Sequence, residues 1–231
     1  MTVTRSERTR TERGRLGRRR GPDEHNDKRV RVVYLAAGWC LSYPTEELRE
    51  RVPLMRAALT EFPGAETPFA LVLDALENAS LAEMQSQYVQ EFDLSRRHAL
   101  HLSYWTDGDT RRRGDVLADF KQTYRQHDVL VDTHGELPDY LPMVLEFAAT
   151  VDLDDGRELL IRFRPSLELL RLALVDAALP HAGAVAAVCD TLPGESPADR
   201  NAVMKLAGYR PPTESVGLEP YDPRLLPLRG V

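Results

Sequence analysis

Apolar side chains recur along most of this chain at intervals of three and four, the spacing that lines one face of an α-helix. Val30, Val33, Ala37 and Leu41 mark one face of a first helix that ends near Tyr43-Pro44. Thr45 is placed to cap a second helix, with Glu46 and Glu47 in its electropositive first turn. Its stripe of Leu48, Val52, Met55, Leu59 and Phe62 continues past Pro53, which predicts a kink or short break there. Thr67-Pro68 reads as an N-cap followed by proline at the first helical position, opening a short helix from Phe69 to Ala79.

Ser80-Leu81-Ala82-Glu83 has the form of a capping box. Leu81, Met84, Tyr88 and Phe92 then share one face. A less regular segment from Leu94 to Gly108 leads to a helix after Asp109, with Val116, Leu117, Phe120 and Tyr124 as its buried stripe. Asp139 is positioned to cap a helix from Tyr140 to about Thr150, with Pro142 tolerated in its first turn. After Asp154-Asp155-Gly156 the register Leu160, Phe163, Leu167, Leu170, Leu174, Ala177 persists across Pro165, predicting one bent helix or two abutting ones. Ala184, Val185, Val188 and Leu192 mark another helix, and Ser196-Pro197 opens a last one that Gly208 ends.

No strand-like alternation competes with this pattern. The strand-like scrap Val129-Leu130-Val131 is too short to build a sheet, and there is no internal repeat. The expected fold class is all-α, a single-domain multi-helix bundle over residues 28–208. A disordered Arg-rich arm (1–27) precedes it, and a Pro-rich extended tail (209–231) follows it.

Composition narrows the class. Hydrophobic residues make up 42% and charged residues 29%, a globular balance that argues against wholesale disorder. No apolar run approaches the roughly 20 residues that span a bilayer. The net charge of −6 hides an asymmetry: residues 1–20 hold eight Arg and two Glu, which leaves −12 on the remainder. A twin-arginine export signal does not fit the arm, because no apolar stretch follows Arg18-Arg19-Arg20. A nucleic-acid tether is physically available to clustered arginines; a plain disordered extension is the blander reading and the one expected. Cys40 and Cys189 stand far apart in helical apolar patterns, as core thiols of a reducing compartment.

Candidate chemistry is sparse. There is no phosphate-binding loop, dinucleotide glycine fingerprint or nucleophile elbow. His98 and His101 are spaced to share a metal if helical, but a metal site needs more ligands than these, and packing or hydrogen bonding is the expected role. His127, His134, Glu136 and Asp139 lie close in sequence without a nucleophile. No catalytic residue, metal or cofactor is expected. A block of rings and acids stands out instead: Tyr88, Phe92, Asp93, Tyr104, Trp105, Asp109, Glu136, Pro138, Asp139, Tyr140 and Pro142. Such a set suits a groove for a basic amphipathic peptide. It equally suits core rings and helix caps, and periodicity leaves both readings open.

Three ordered stretches make the sequence specific. They are Tyr88-Val-Gln-Glu-Phe92-Asp93; His101-Leu-Ser-Tyr104 with Gly108-Asp109-Thr-Arg111-Arg-Arg113-Gly114; and Glu136-Leu137-Pro138-Asp139-Tyr140-Leu141-Pro142 running on to Phe147. Together they resemble the NarJ family of delta-type assembly chaperones of respiratory nitrate reductase, related to the TorD/DmsD redox-enzyme chaperones. The resemblance covers roughly residues 30–195. It implies an all-helical, TorD-like cytoplasmic chaperone that is not an enzyme and not a subunit of the finished complex. It further implies binding to the N-terminal segment of the catalytic alpha subunit until the client's molybdenum cofactor is inserted.

The residues it points to for client binding are Tyr88, Phe92, Asp93, His101, Tyr104, Asp109, Arg111, Arg113, Glu136, Leu137, Pro138, Asp139, Tyr140 and Leu141. Relatives often carry His where Tyr140 stands, which weighs against a mechanism needing a titrating imidazole at that position. The competing functions are a chaperone for another molybdoenzyme, a nucleic-acid-binding regulator using the arm, and a metal-dependent hydrolase built on His98 and His101. Neither nucleic-acid binding nor membrane insertion is expected.

Overall fold

The structure, a computed structural model, describes residues 3–5, 21–107, 111–127, 129–131 and 135–207. Helix α1 spans Gly21–Cys40, α2 Glu46–Glu50, α3 Val52–Thr60, α4 Ala70–Asn78 and α5 Leu81–Tyr88. A π-helical turn, Val89–Asp93, extends α5. Then come α6 Leu102–Asp107, α7 Arg111–Gln126, α8 Leu141–Thr150, α9 Leu153–Arg162, α10 Arg164–Asp176, α11 Ala182–Cys189 and α12 Arg200–Leu206. The described residues form an all-α bundle. The one sheet among them is a two-stranded antiparallel ribbon of three residues each, β1 (Val3–Arg5) and β2 (Val129–Val131), with Val3 opposite Val131.

Helix α1 lies along α8, which packs on α9; α10 packs on α6, α11 and α12, and α11 returns to α1. The apolar stripes read from the sequence meet in this centre. Val30, Val33, Ala37 and Leu41 are buried, as are Leu48, Val52, Met55, Leu59 and Phe62, and so is the run Leu160, Phe163, Leu167, Leu170 and Leu174. Ala177, the expected next member of that run, is exposed, because it lies just past the end of α10. Burying a Leu or Phe contributes about 1.5–3 kcal/mol, against about 1 kcal/mol for an N-cap. Packing therefore dominates, and the caps set only where helices begin.

Several caps form as expected. Thr45 accepts from the Leu48 N–H, and Ser80 and Glu83 complete a capping box. Pro53 sits near the start of α3, so the predicted break separates two helices, and Phe163 separates α9 from α10 ahead of Pro165.

Other expectations need correction. Thr67-Pro68-Phe69 form a 3-10 turn, and α4 starts only at Ala70. Asp154-Asp155-Gly156 lie inside α9, because Asp152 already caps it through the Asp155 N–H. Asp199, rather than Ser196, caps α12. Helix α1 begins at Gly21, inside the stretch expected to be a disordered arm to residue 27, and the scrap Val129–Val131 does find a strand partner. The tail from residue 208 lies outside the described residues.

Two close contacts fix the helix layers. A side chain at Gly156 would overlap Ala148 of α8, and one at Gly183 would overlap the Pro68 carbonyl. Elsewhere Glu168, fully buried, pairs with Arg171 at 2.7 Å and Arg164 at 3.4 Å. Those arginines also donate to the Gly194 and Pro197 carbonyls, pinning the α11–α12 connection to α10. At the other end of the core, the Tyr34 hydroxyl donates to Thr191 Oγ1 at 2.8 Å, since Thr191 itself donates to the Val188 carbonyl. Arg31 of α1 donates to the Ala149 carbonyl at 2.6 Å, satisfying an acceptor in the last turn of α8.

Candidate functional site

Asp139 is the hub of the motif block. The segments Leu100–Leu102 and Asp139–Leu141 run antiparallel: the Leu102 N–H donates to the Asp139 carbonyl at 3.0 Å and the Leu141 N–H to the Leu100 carbonyl at 2.8 Å. This bridge buries the Asp139 carboxylate completely. Its Oδ2 accepts from the Ser103 N–H at 3.0 Å and the Ser103 hydroxyl at 2.6 Å. Ser103 lies in the first turn of α6, so Asp139 caps a helix distant in sequence. At its own helix, α8, Tyr140 occupies the capping position without a side-chain cap. That corrects the expectation that Asp139 caps α8. Burial alone would raise the Asp139 pKa; the His101 imidazole and the Ser103 donors outweigh it and hold the carboxyl below its ordinary range.

His101 stands between two acids. Its Nδ1 faces Asp139 Oδ1 at 3.4 Å, off the line of a directed hydrogen bond, and its Nε2 lies 3.6 Å from Glu136. Its ring is also 5.6 Å from that of Tyr140. An imidazole therefore lies beside Tyr140, supplied from another segment. Arg113 completes the knot by donating to Ser103 Oγ at 3.1 Å and lying 6.0 Å over the Tyr104 ring.

Three buried phenols brace the same block. Tyr88 donates to the Leu41 carbonyl at 3.1 Å, so Tyr140 supplies the hydrogen in their 2.9 Å hydroxyl contact. Tyr124 donates to the Pro138 carbonyl at 2.8 Å. Burial pushes all three phenols well above the ordinary tyrosine range, so they remain neutral donors. The π-helical turn after α5 sets Phe92 against Tyr88 at 4.9 Å and against His181 at 5.0 Å. Burial pushes the His181 imidazole down to about 4.

The residues named from the sequence thus divide. Tyr88, Phe92, Pro138, Asp139, Tyr140 and Leu141 are buried and hold one another; Asp93, Glu136 and Leu137 are exposed; His101, Tyr104 and Arg113 are partly exposed. Asp109, His134 and the side chain of Arg111 lie outside the described residues. His98 turns to Glu91 at 3.1 Å while His101 turns to Glu136 and Asp139, so the two histidines serve different carboxylates. Among the described residues, one group has metal-ligand proximity: His127, Asp152 and Asp155. Its atoms are already engaged, His127 Nε2 with Asp155 at 2.6 Å and Asp152 Oδ1 with the α9 cap. The two cysteines are buried free thiols, and burial alone pushes that of Cys40 up to about 12.

Sequence reasoning missed the cleft on the outer side of this block. It encloses about 240 Å³ between the end of α1, α2 and the start of α8. Trp39, Tyr43, Glu47, Arg51, Pro142 and Glu146 line it. The Tyr43 ring meets Tyr88 edge-on at 5.5 Å, and Pro142 belongs to the motif itself, so the cleft adjoins the buried knot. The signal was present in Trp39, which falls off the α1 stripe, and in Tyr43, which read only as the helix stop with Pro44. No described helix is long and apolar enough to cross a membrane.

Comparison with known proteins adds the remaining facts. The sequence profile of the nitrate reductase delta subunit family matches residues 46–187. Nitrate reductase-like protein NarX of Mycobacterium tuberculosis is 43% identical over 160 residues, which is 69% of this chain and 24% of that protein. The chain therefore spans about a quarter of that relative's length. The probable nitrate reductase molybdenum cofactor assembly chaperone NarJ of Bacillus subtilis is 31% identical over 134 residues, covering 57% of this chain and 72% of the relative. The probable chaperone NarW of Escherichia coli is 35% identical over 118 residues, 47% of this chain and 51% of the relative.

Proposed function

The chain belongs to the nitrate reductase delta subunit family, and on that premise we propose that it is an assembly chaperone for a respiratory nitrate reductase. It binds the catalytic subunit through that subunit's N-terminal segment, in the cytoplasm, before the molybdenum cofactor is in place. The observation that carries the reading is the match over residues 46–187, which takes in every described residue of the motif block. Relatives that bear the chaperone name, from Bacillus subtilis and Escherichia coli, support it.

The physics required is selective binding. A chaperone favours one conformer of its client only by binding it more tightly than the other. Here the favoured conformer is the open, cofactor-free subunit, and affinity falls when the cofactor closes the client's fold. The molybdenum cofactor belongs to the client. Residues 21–231 carry −12, so attraction to a basic segment weakens as salt rises. The fixed geometry of Asp139, Ser103 and the phenols supports the reading: a surface carried on a rigid frame loses little entropy on binding.

Calorimetry with a synthetic peptide from the catalytic subunit's N-terminus tests this. Saturable binding that weakens with salt is expected. Absence of binding to the folded full chain would overturn it.

A further inference from the structure

We propose that the cleft between α1, α2 and α8 is the docking site for the client's segment, and that it selects an arginine or lysine flanked by apolar side chains. This rests on the chaperone reading above and assigns it a place and a chemistry.

Three observations converge. Tyr43 is 43% exposed, an aromatic ring that lines the cleft and rests edge-on against Tyr88, itself hydrogen-bonded to Tyr140. A half-exposed ring on a fixed support provides apolar contact at small entropic cost. Next, the Arg51 guanidinium lies 5.1 Å over the Trp39 ring, so this ring face already accepts a guanidinium from the chain itself. An incoming arginine finds the same face or displaces Arg51 from it.

The third is charge. Glu47 lines the cleft, is exposed, and forms no ion pair with any described residue. Glu50 on the same short helix is likewise exposed. Of the cations around it, Arg49 turns away to Glu46 and to the Leu76 and Glu77 carbonyls, and Arg51, which lines the same cleft, lies over Trp39 and forms no ion pair with any described residue. An acid without a partner beside an aromatic face that holds a guanidinium is complementary to a basic amphipathic segment.

The test is calorimetry with the full chain and the catalytic subunit's N-terminal peptide, alongside a version with its basic residues replaced by glutamate. Glu47→Lys and Tyr43→Ala alter exposed positions, so retention of the helical spectrum checks that each variant is folded. Each should weaken the native peptide roughly tenfold, about 1.4 kcal/mol. Glu47→Lys should in turn bind the glutamate peptide better than the unaltered chain does. If the unaltered chain binds the native peptide and both variants bind it equally well, the segment docks elsewhere and the cleft assignment falls. If the unaltered chain binds neither peptide, the chaperone reading beneath it falls as well.

Discussion

The hydroxyl of Tyr140 donates to that of Tyr88 at 2.9 Å across 52 residues of sequence, and Tyr88 passes the chain on to the Leu41 carbonyl. Three separate pieces of the molecule meet there: the end of α5, the Glu136–Leu141 motif and the end of α1. The motif is therefore a brace beside the cleft, with its rings turned into the core.

The two hydroxyls are not equivalent. Tyr140→Phe removes one donor and leaves Tyr88 bonded to Leu41, a loss of about 1 kcal/mol. Tyr88→Phe strands both the Tyr140 hydroxyl and the Leu41 carbonyl, and should cost about 2–3 kcal/mol. Urea midpoints at constant slope give the comparison. Equal losses would mean that the relay does not run in this direction.

Acid stability should fall in two windows. His181 is neutral in the fold, with its pKa pushed down to about 4 from 6.5 by burial. Between those values the unfolded chain binds more protons, so stability drops as pH falls through 6.5 towards 4. His181→Gln should flatten that limb. Asp139 has a folded pKa below its unfolded value, so its contribution is complete above about 3.9 and is lost as pH falls through the lower, folded value. Asp139→Asn should flatten only this more acidic limb, at the cost of lower stability at neutral pH. Unfolding free energy measured against pH separates the two.

Removing the carboxylate of Glu168 leaves two arginines facing each other in a buried site. Glu168→Ala should destabilise by on the order of 3–5 kcal/mol. Because Arg164 and Arg171 hold the Gly194 and Pro197 carbonyls, the α11–α12 connection should also become cleavable. Limited proteolysis reads this directly. Unchanged cleavage would show that the connection is held by other contacts.

Gly183→Ala tests the approach of α11 to the turn Thr67–Phe69, where an added methyl group meets the Pro68 carbonyl, a backbone atom unable to rotate away. A loss of about 1–3 kcal/mol is expected. The control Gly64→Ala meets no atom and suffers only from its positive φ of 79°. Thermal unfolding of the pair distinguishes crowding from backbone strain.

Much of this molecule was legible because its signals are local. The Ser80–Glu83 box, the Thr45 cap and the stripe Val30, Val33, Ala37, Leu41 each depend on residues within one or two helical turns. Asp139 shows where that stops. As an acid ahead of a helix it looked like a cap for α8, yet its partner Ser103 comes from a segment whose approach no local pattern encodes. The same holds for His101, whose neighbours Asp139 and Glu136 are far along the chain. The rings of Tyr88, Phe92 and Tyr140 had the right periodicity for core and the right company for a groove. Burial decided that they belong to the core, and Trp39 and Tyr43, which carried no motif, became the cleft's lining.

The most direct test of the central claim is affinity capture of the full chain from cells that express the nitrate reductase, with the molybdenum content of the recovered catalytic subunit measured. Capture of the catalytic subunit almost free of molybdenum is expected, with loss of that capture once the cofactor is loaded. Recovery of cofactor-loaded and cofactor-free subunit alike, of a different molybdoenzyme, or of no catalytic subunit at all would contradict it.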